Sequence, residues 1–255
     1  MRLLATEPAS IAKILDASIK LYSACFSRLW GILSILAVLY IAMGLLTATL
    51  QPDPAAPQTA ALELLSENLS LILAFVIVFS LVSFVLYAAL IYRLDNVTNE
   101  REDSFSEAIT AGFRAFPSML FAAFLYMVVI IVGYILLLIP GLILTLSLMF
   151  YLYFIVIDGL GGYRALRASH SLVWGHWWRT ATIFTVPMII WMAVMFALGF
   201  LMAFLAPADN QVLMQILMNL LSVFFMPYFF ALGYVQFHDL KLRKSGSDLA
   251  SRLGR

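Results

Sequence analysis

Long apolar segments dominate this chain and leave few folds open to it. Six of them reach or approach the roughly 20 residues that a helix needs to cross a hydrocarbon core about 30 Å thick. They are Leu29–Leu50, Leu69–Tyr92, Ser118–Ile139, Gly141–Ile157, Thr180–Ala206 and Val212–Phe237. Their apolar residues are continuous rather than alternating, which excludes the strands of a membrane β-barrel. The sequence therefore predicts an all-α integral membrane protein, a bundle of six transmembrane helices.

The composition agrees with a membrane protein and excludes several functional classes. Hydrophobic residues make up 64% of the chain and charged residues only 11%, whereas soluble domains have about 45–50% and about 25%. A soluble enzyme, a nucleic-acid-binding protein or a disordered chain would not have this balance. We expect membrane lipid as a partner, together with other membrane proteins or a second copy of the chain, and no nucleic acid.

The scarce charges are distributed unevenly between the two sides of the predicted bundle. All 15 lysines and arginines precede the first span, follow the last, or lie between spans two and three or spans four and five. The opposite loops carry only the acidic residues Asp53, Glu63, Glu67 and Asp209. Loops rich in lysine and arginine remain in the cytoplasm. The pattern therefore predicts a multi-pass plasma-membrane protein with both termini in the cytoplasm.

Pro140 separates the third and fourth predicted spans. A single helix through it would have roughly 40 residues, which is too long for one crossing. Proline fits the first turn of a helix, because the N–H that it lacks would have no partner there. We therefore expect a tight hairpin in which Pro140 lies in the first turn of the fourth transmembrane helix.

Three short segments of similar pattern precede the three pairs of spans. We call them the elbow segments: Ile14–Tyr22 is the first, Ala108–Phe116 the second and Ala165–Val173 the third. In each of them an alanine is followed by a small residue, and the three pairs are Ala17–Ser18, Ala111–Gly112 and Ala168–Ser169. Small residues allow a neighbouring helix to approach closely.

The first two elbow segments are amphipathic at the helical period of 3.6 residues, and the third is less regular. Ser104 with Glu107 forms a capping-box pattern that predicts the start of the second. Amphipathic helices beside a span lie in the headgroup plane of the membrane. We therefore predict a single membrane domain, 1–255, built from three repeats of one interfacial elbow helix plus two transmembrane helices. The repeats cover about 10–93, 104–158 and 161–238, and 239–255 is a cytoplasmic tail.

Three runs in the second half of the chain carry a family resemblance. They read LIPGLILTLSLMFYLYFIVID, GGYRALRASHSLVWGHWWR and ALGYVQFHDLKLRK. These runs resemble the YciC-like bacterial membrane proteins and the membrane domain attached to some glycerophosphoryl diester phosphodiesterases. The resemblance implies an integral protein of the bacterial inner membrane, with structural roles for Pro140, Gly141, Asp158, Ser169 and Gly175. Only residues 238–255 follow the last span, so we expect no phosphodiesterase chemistry to carry over.

The predicted spans contain no ionisable side chain, although such residues mark ion pathways and proton relays in membranes. The three histidines, His170, His176 and His238, do not have the spacing of a metal site or a catalytic pair. We therefore expect a protein that is not an enzyme, with no catalytic residue, no metal and no cofactor.

The most polar positions within a span are Gln215, Asn219 and Ser222. Their spacing places them on one face of the sixth predicted span. We expect them to form polar contacts between helices of the bundle, and a polar path for a ligand is the alternative interpretation.

An aromatic cluster marks the start of the fifth predicted span. It consists of Trp174, Trp177 and Trp178, with Arg179 beside them. Indole rings favour the depth of the lipid headgroups, so we interpret these four residues as interfacial anchors.

Three functions fit these features. The expected one is a non-enzymatic role in envelope or lipid organisation, because the elbow segments favour the membrane surface and the spans lack charge. The alternatives are a transporter or channel for a small apolar or amphiphilic solute, and an accessory subunit of a membrane complex.

Overall fold

The computed structural model describes residues 4–50, 59–205 and 211–253. Within these ranges the chain forms nine α-helices and no β-strand. The helices are α1 (Ile11–Thr49), α2 (Thr59–Glu67), α3 (Leu69–Thr98), α4 (Phe105–Leu136), α5 (Leu138–Leu148), α6 (Tyr151–Val156), α7 (Gly162–Val173), α8 (Trp177–Leu205) and α9 (Gln211–Leu253). The all-α prediction is confirmed.

Six helical stretches in the described part of the chain are long and apolar enough to cross a membrane. They are provided by α1, α3, α4, α5 together with α6, α8, and α9. This agrees with the six predicted spans and with a multi-pass membrane protein. The loop residues Asp53 and Asp209, the predicted last residue of the fifth span, Ala206, and the end of the predicted tail lie outside the described residues.

The elbow segments differ from the prediction in their continuity. The first elbow segment and the first span form one helix, α1, and the second elbow segment continues through Pro117 into the third span as α4. Only the third elbow segment is a separate helix, α7, which ends before Gly175. Gly175 has a φ of 88°, a left-handed conformation that glycine adopts without a steric penalty. No such residue interrupts the first two segments.

The start of α4 confirms a local prediction. The Ser104 hydroxyl accepts a hydrogen bond from the backbone N–H of Glu107, and the Glu107 carboxylate accepts one from the backbone N–H of Ser104. This reciprocal pair is the expected capping box, and it satisfies two N–H groups that have no partner within the helix.

Helices α4 and α5 form the expected hairpin around Leu137, and Pro140 lies in the first turn of α5. The two helices approach closely at their glycines. A Cβ atom added to Gly133 would lie 3.1 Å from the Cα atom of Gly141, and one added to Gly141 would lie 2.5 Å from the ring of Tyr134. Glycine at both positions therefore permits the close approach.

The best-packed region lies toward one end of the bundle. Every side chain of Ala88–Ile91 in α3 and every residue of Ala231–Phe237 in α9 is buried. Toward the other end of the same helices, Leu69, Leu71 and Leu213 are each more than half exposed. Continuous exposed apolar surface of this kind is unfavourable in water, and it is the surface that a transmembrane helix presents to lipid.

Candidate functional site at the basic end

Ion pairs join the helices at the well-packed end, which we call the basic end. Asp103, just before α4, has a fully buried side chain between two arginines. Its carboxylate lies 3.3 Å from Nη1 of Arg28 in α1 and 3.1 Å from Nε of Arg93 in α3. Arg93 also donates a hydrogen bond to the carbonyl oxygen of Arg28. One buried carboxylate thus connects α1, α3 and the start of α4.

A second cluster surrounds Asp239 in α9, which is 4% exposed. Its carboxylate lies 2.8 Å from Nε of Arg243 and 3.3 Å from Nη2 of Arg179 at the start of α8. The same carboxylate accepts a 2.7 Å hydrogen bond from the backbone N–H of Ala9. Both arginines donate hydrogen bonds to the carbonyl oxygen of Ala9. Asp239 therefore fixes the segment before α1 against α8 and α9.

The third ion pair is more accessible to solvent. Both carboxylate oxygens of Asp158 lie within 2.9 Å of Nζ of Lys241, and these two side chains are 31% and 37% exposed. The ammonium group also lies 4.3 Å from the centre of the Phe237 ring. Asp158, one of the residues of the family resemblance, thus contacts α9.

Residues that flank the elbow segments contact one another around the basic end. Arg28, after the first, bonds to the carbonyl oxygen of Arg101 and pairs with Asp103, both just before α4. The next contact joins Gly162, the first residue of α7, to Ser118, just after the second elbow segment. The two lie so close that a Cβ atom added to Gly162 would be 2.8 Å from the carbonyl oxygen of Ser118. These contacts place the start of each following elbow segment beside the end of the one before it.

A third contact joins the chain after the third elbow segment to the chain before the first. Arg179, after the third elbow segment, contacts Ala9, which lies just before the start of α1. The three contacts therefore join the flank of the first elbow segment to that of the second, the second to the third, and the third back to the first.

The small residues of the three elbow segments are all buried, and two of them contact another helix or its end. A Cβ atom added to Gly112 would overlap the carbonyl oxygen of Val85 in α3. The buried Ser169 hydroxyl donates to the carbonyl oxygen of Ser147 and accepts from the backbone N–H of Phe150. Ser169 thus provides a hydrogen-bond partner for two backbone groups, the carbonyl of Ser147 and the N–H of Phe150. These groups lie where the fourth span is interrupted between α5 and α6. Ser18 is fully buried in α1 and donates to the carbonyl oxygen of Ile14.

Two apolar grooves lie beside the elbow segments. The first-elbow groove has a volume of about 360 Å³ and is lined by Leu15, Ile19, Tyr22, Val186, Pro187, Ile190, Phe224, Phe225 and Tyr228. The second-elbow groove has a volume of about 420 Å³ and is lined by Ile35, Leu81, Val82, Val85, Leu86, Ile109, Phe113 and Phe116. Both use the second, sixth and ninth residues of their elbow segment. In the third elbow segment the second and ninth residues, Leu166 and Val173, are buried.

A family model described as an uncharacterised protein family (UPF0259) matches residues 66–235, more than half of the chain. The chain belongs to this family. No curated protein and no solved structure matches it. The family match covers Arg93, Asp103, Asp158 and most of the second-elbow groove, whereas Ala9 and Asp239 lie outside it.

The polar residues predicted for the sixth span contact α1 from within α9. Gln215 donates a 2.7 Å hydrogen bond to the hydroxyl of Thr47, and the Asn219 side chain lies 3.4 Å from the carbonyl oxygen of Tyr40. Ser222 instead donates to the carbonyl oxygen of Met218 in its own helix. Two of the three therefore contact a neighbouring helix through their side-chain amides, whereas the Ser222 hydroxyl bonds within α9.

The four predicted anchors have different environments. Trp174 and Trp178 are 67% and 79% exposed, and Trp177 packs edge-on against Trp178 with its ring centre 4.7 Å away. Arg179 differs because it belongs to the Asp239 cluster and is only 20% exposed. The structure thus places two exposed indoles beside an arginine that holds helices together.

The sequence reasoning missed Asp103 and Asp239. Asp239 is an acidic residue in a mainly basic stretch, and this contrast is the signal that would have singled it out. Asp103 lies among four other acidic residues between the second and third spans, and no local pattern distinguishes it. Within the described ranges, no group of three His, Cys, Asp or Glu side chains could hold a metal ion.

Proposed function

We propose that this protein has a non-enzymatic role in lipid organisation in the bacterial inner membrane. The observation that carries the proposal is the pair of apolar grooves beside the elbow segments, next to helices apolar enough to cross a membrane. Grooves of this chemistry suit acyl chains, because hydrocarbon can fill them without leaving a polar group unsatisfied. The YciC-like resemblance supports the bacterial inner membrane as the location.

The packing between α3, α6 and α9 supports a lipid-facing role over passage of a solute through the bundle. Aromatic side chains fill the space between these helices at the basic end. Tyr87 packs 5.1 Å from Phe230, and Tyr153 packs 5.6 Å from Phe237, measured between ring centres. The Tyr153 hydroxyl donates to the carbonyl oxygen of Phe230. The two grooves, in contrast, are open at the surface.

The proposed architecture is three repeats of an elbow and two spans, arranged in a ring. The contacts between the flanks of the elbow segments support this arrangement, since Arg179 after the third contacts Ala9 before the first. The equivalent lining positions of the two grooves support it as well. In this arrangement the elbow segments lie at the cytoplasmic membrane surface.

The proposed role predicts that phospholipid remains bound when the protein is extracted from its native membrane in a mild detergent. Native mass spectrometry of the full chain should show bound species with the masses of phospholipids. The role is contradicted if the protein carries neither lipid nor a partner protein under conditions in which it remains folded.

The proposed orientation predicts which engineered cysteines react from outside the cell. In a Cys25→Ser background, Ser66→Cys in α2 should react with an impermeant maleimide in intact spheroplasts. Ser106→Cys at the start of α4 should react only after permeabilisation. Both serines are exposed, so the difference reports the side of the membrane, and the reverse pattern would contradict the orientation.

A further inference from the structure

We infer that the second-elbow groove is a binding site for an anionic phospholipid, with an acyl chain in the groove and the phosphate at Arg114. This inference rests on the proposed role in lipid organisation and assigns it to one place. The occupant follows from two features of different chemistry, an apolar groove and an exposed cation one residue after a side chain that lines the groove.

The groove is open and entirely apolar in its lining. Phe113 forms one wall and is 65% exposed, and Ile35 on α1 is 37% exposed. The opposite wall is the α3 stretch around Val85, against which Gly112 packs. The close contact at Gly112 holds the elbow segment against α3, so the groove is a fixed feature of the packing. An acyl chain is the apolar occupant that a membrane supplies.

Arg114 directly follows Phe113 in the elbow segment and is exposed. In the described part of the chain it has neither an ion-pair nor a hydrogen-bond partner. The planar guanidinium donates paired hydrogen bonds that match a phosphate group. A lipid with a net negative headgroup therefore complements this position better than a zwitterionic lipid does.

The other two elbow segments provide an internal comparison. Lys20 occupies the position of Arg114 in the first elbow segment, but its ammonium group is paired at 2.6 Å with Asp16. In the third elbow segment this position is Ser171, whose hydroxyl contacts Lys244. Only the second elbow segment combines an apolar groove with a cation that no described acidic side chain neutralises. We therefore expect the strongest preference for anionic lipid at the second-elbow groove.

The test offers the full-length protein equal amounts of phosphatidylglycerol and phosphatidylcholine with identical acyl chains and measures bound lipid by native mass spectrometry. The wild type should prefer phosphatidylglycerol. Arg114→Gln should reduce this preference about fivefold, which corresponds to the roughly 1 kcal/mol that one basic residue contributes near a membrane surface. Phe113→Ala should reduce the binding of both lipids, because it removes a wall of the groove.

Matched controls separate the groove from general surface effects. Arg167→Gln removes an exposed arginine from the third elbow segment, and Phe196→Ala removes a ring that is 77% exposed on α8 outside both grooves. Arg167→Gln should change the preference for phosphatidylglycerol far less than Arg114→Gln does. Phe196→Ala should change the binding of the two lipids far less than Phe113→Ala does. An unchanged thermal unfolding midpoint will show that each variant is folded.

Two results would overturn the assignment, and they differ in what else they affect. If Arg114→Gln and Arg167→Gln reduce the preference equally, the lipid site is not at the second-elbow groove, although the proposed role in lipid organisation stands. If the wild type retains no lipid at all, both the site and the proposed role are wrong.

Discussion

The Asp239→Asn variant is expected to lose about 3–5 kcal/mol of its free energy of unfolding, the cost of removing one partner from a buried ion pair. The Asp239 carboxylate contacts two guanidinium groups, of Arg179 and Arg243, and the backbone N–H of Ala9. Asparagine preserves the shape of the side chain but not its charge. Two neighbouring cations would then remain without their anion. Thermal unfolding of the full chain in a mild detergent measures the loss as a lower midpoint.

Asp158→Asn is the matched control for this prediction. Asp158 also pairs with a basic residue of α9, Lys241, but both side chains are about one third exposed. Solvent-accessible pairs contribute about 0–1 kcal/mol, so this variant should unfold close to the wild type. If the two variants lose the same free energy of unfolding, burial of the Asp239 ion pair does not stabilise the protein as we propose.

A double variant tests whether the Asp239 cluster acts as a unit. If Arg179 and Asp239 stabilise the protein through each other, Arg179→Gln with Asp239→Asn should cost less than the sum of the two single changes, because contacting residues are not additive. Additive losses would indicate that the two residues act independently.

The second large effect is expected at Gly112, the small residue of the second elbow segment. A Cβ atom there would overlap the carbonyl oxygen of Val85 and would lie 2.9 Å from Cγ1 of the same residue. The backbone of α3 would have to move, because a carbonyl oxygen cannot rotate away as a flexible side chain does. Gly112→Ala should therefore destabilise the protein by about 1–3 kcal/mol, the usual cost of overpacking.

Gly199→Ala provides the same chemical change without the overlap. Gly199 lies within α8, and the nearest atom to an added Cβ is Cε of Met218 at 3.8 Å. Alanine favours a helix over glycine by up to about 1 kcal/mol, so this variant should be neutral or stabilised. The Gly112 contact would be refuted if both variants shift the thermal unfolding midpoint in the same direction.

The lipid bound by the Gly112→Ala variant also tests the second-elbow groove, because Gly112 packs beside it. Separation of the elbow segment from α3 should widen the groove and weaken the binding of both phosphatidylglycerol and phosphatidylcholine, while Gly199→Ala should leave lipid binding unchanged. Native mass spectrometry of both variants checks this outcome together with the unfolding measurement.

Most of the helical architecture could be predicted from the sequence. A continuous apolar run of about 20 residues has few ways to satisfy its backbone in lipid, and a helix is the simplest of them. The hairpin at Pro140 and the capping box at Ser104 and Glu107 were predictable for a similar reason, because each depends on residues only a few positions apart.

The continuity of α1 and the partners of the charged residues were not predictable in the same way. An amphipathic segment followed by an apolar one is compatible with two helices or with a single one. Arg28 pairs with Asp103, which is 75 positions away, and Ala9 bonds to Asp239, which is 230 positions away. Which of many arginines meets which carboxylate depends on how the helices pack.

The sequence by itself determined the class of protein, the number of candidate spans and the concentration of basic residues between particular spans. These properties follow from composition and local pattern, since burial of apolar residues and backbone hydrogen bonding act on every segment independently. The tertiary structure decided the contacts between the flanks of the elbow segments, the buried ion pairs of Asp103 and Asp239, and the two apolar grooves. These features exist only where helices that are distant in the chain meet. The buried carboxylates need partners from other helices, and a groove is the space between side chains of several helices.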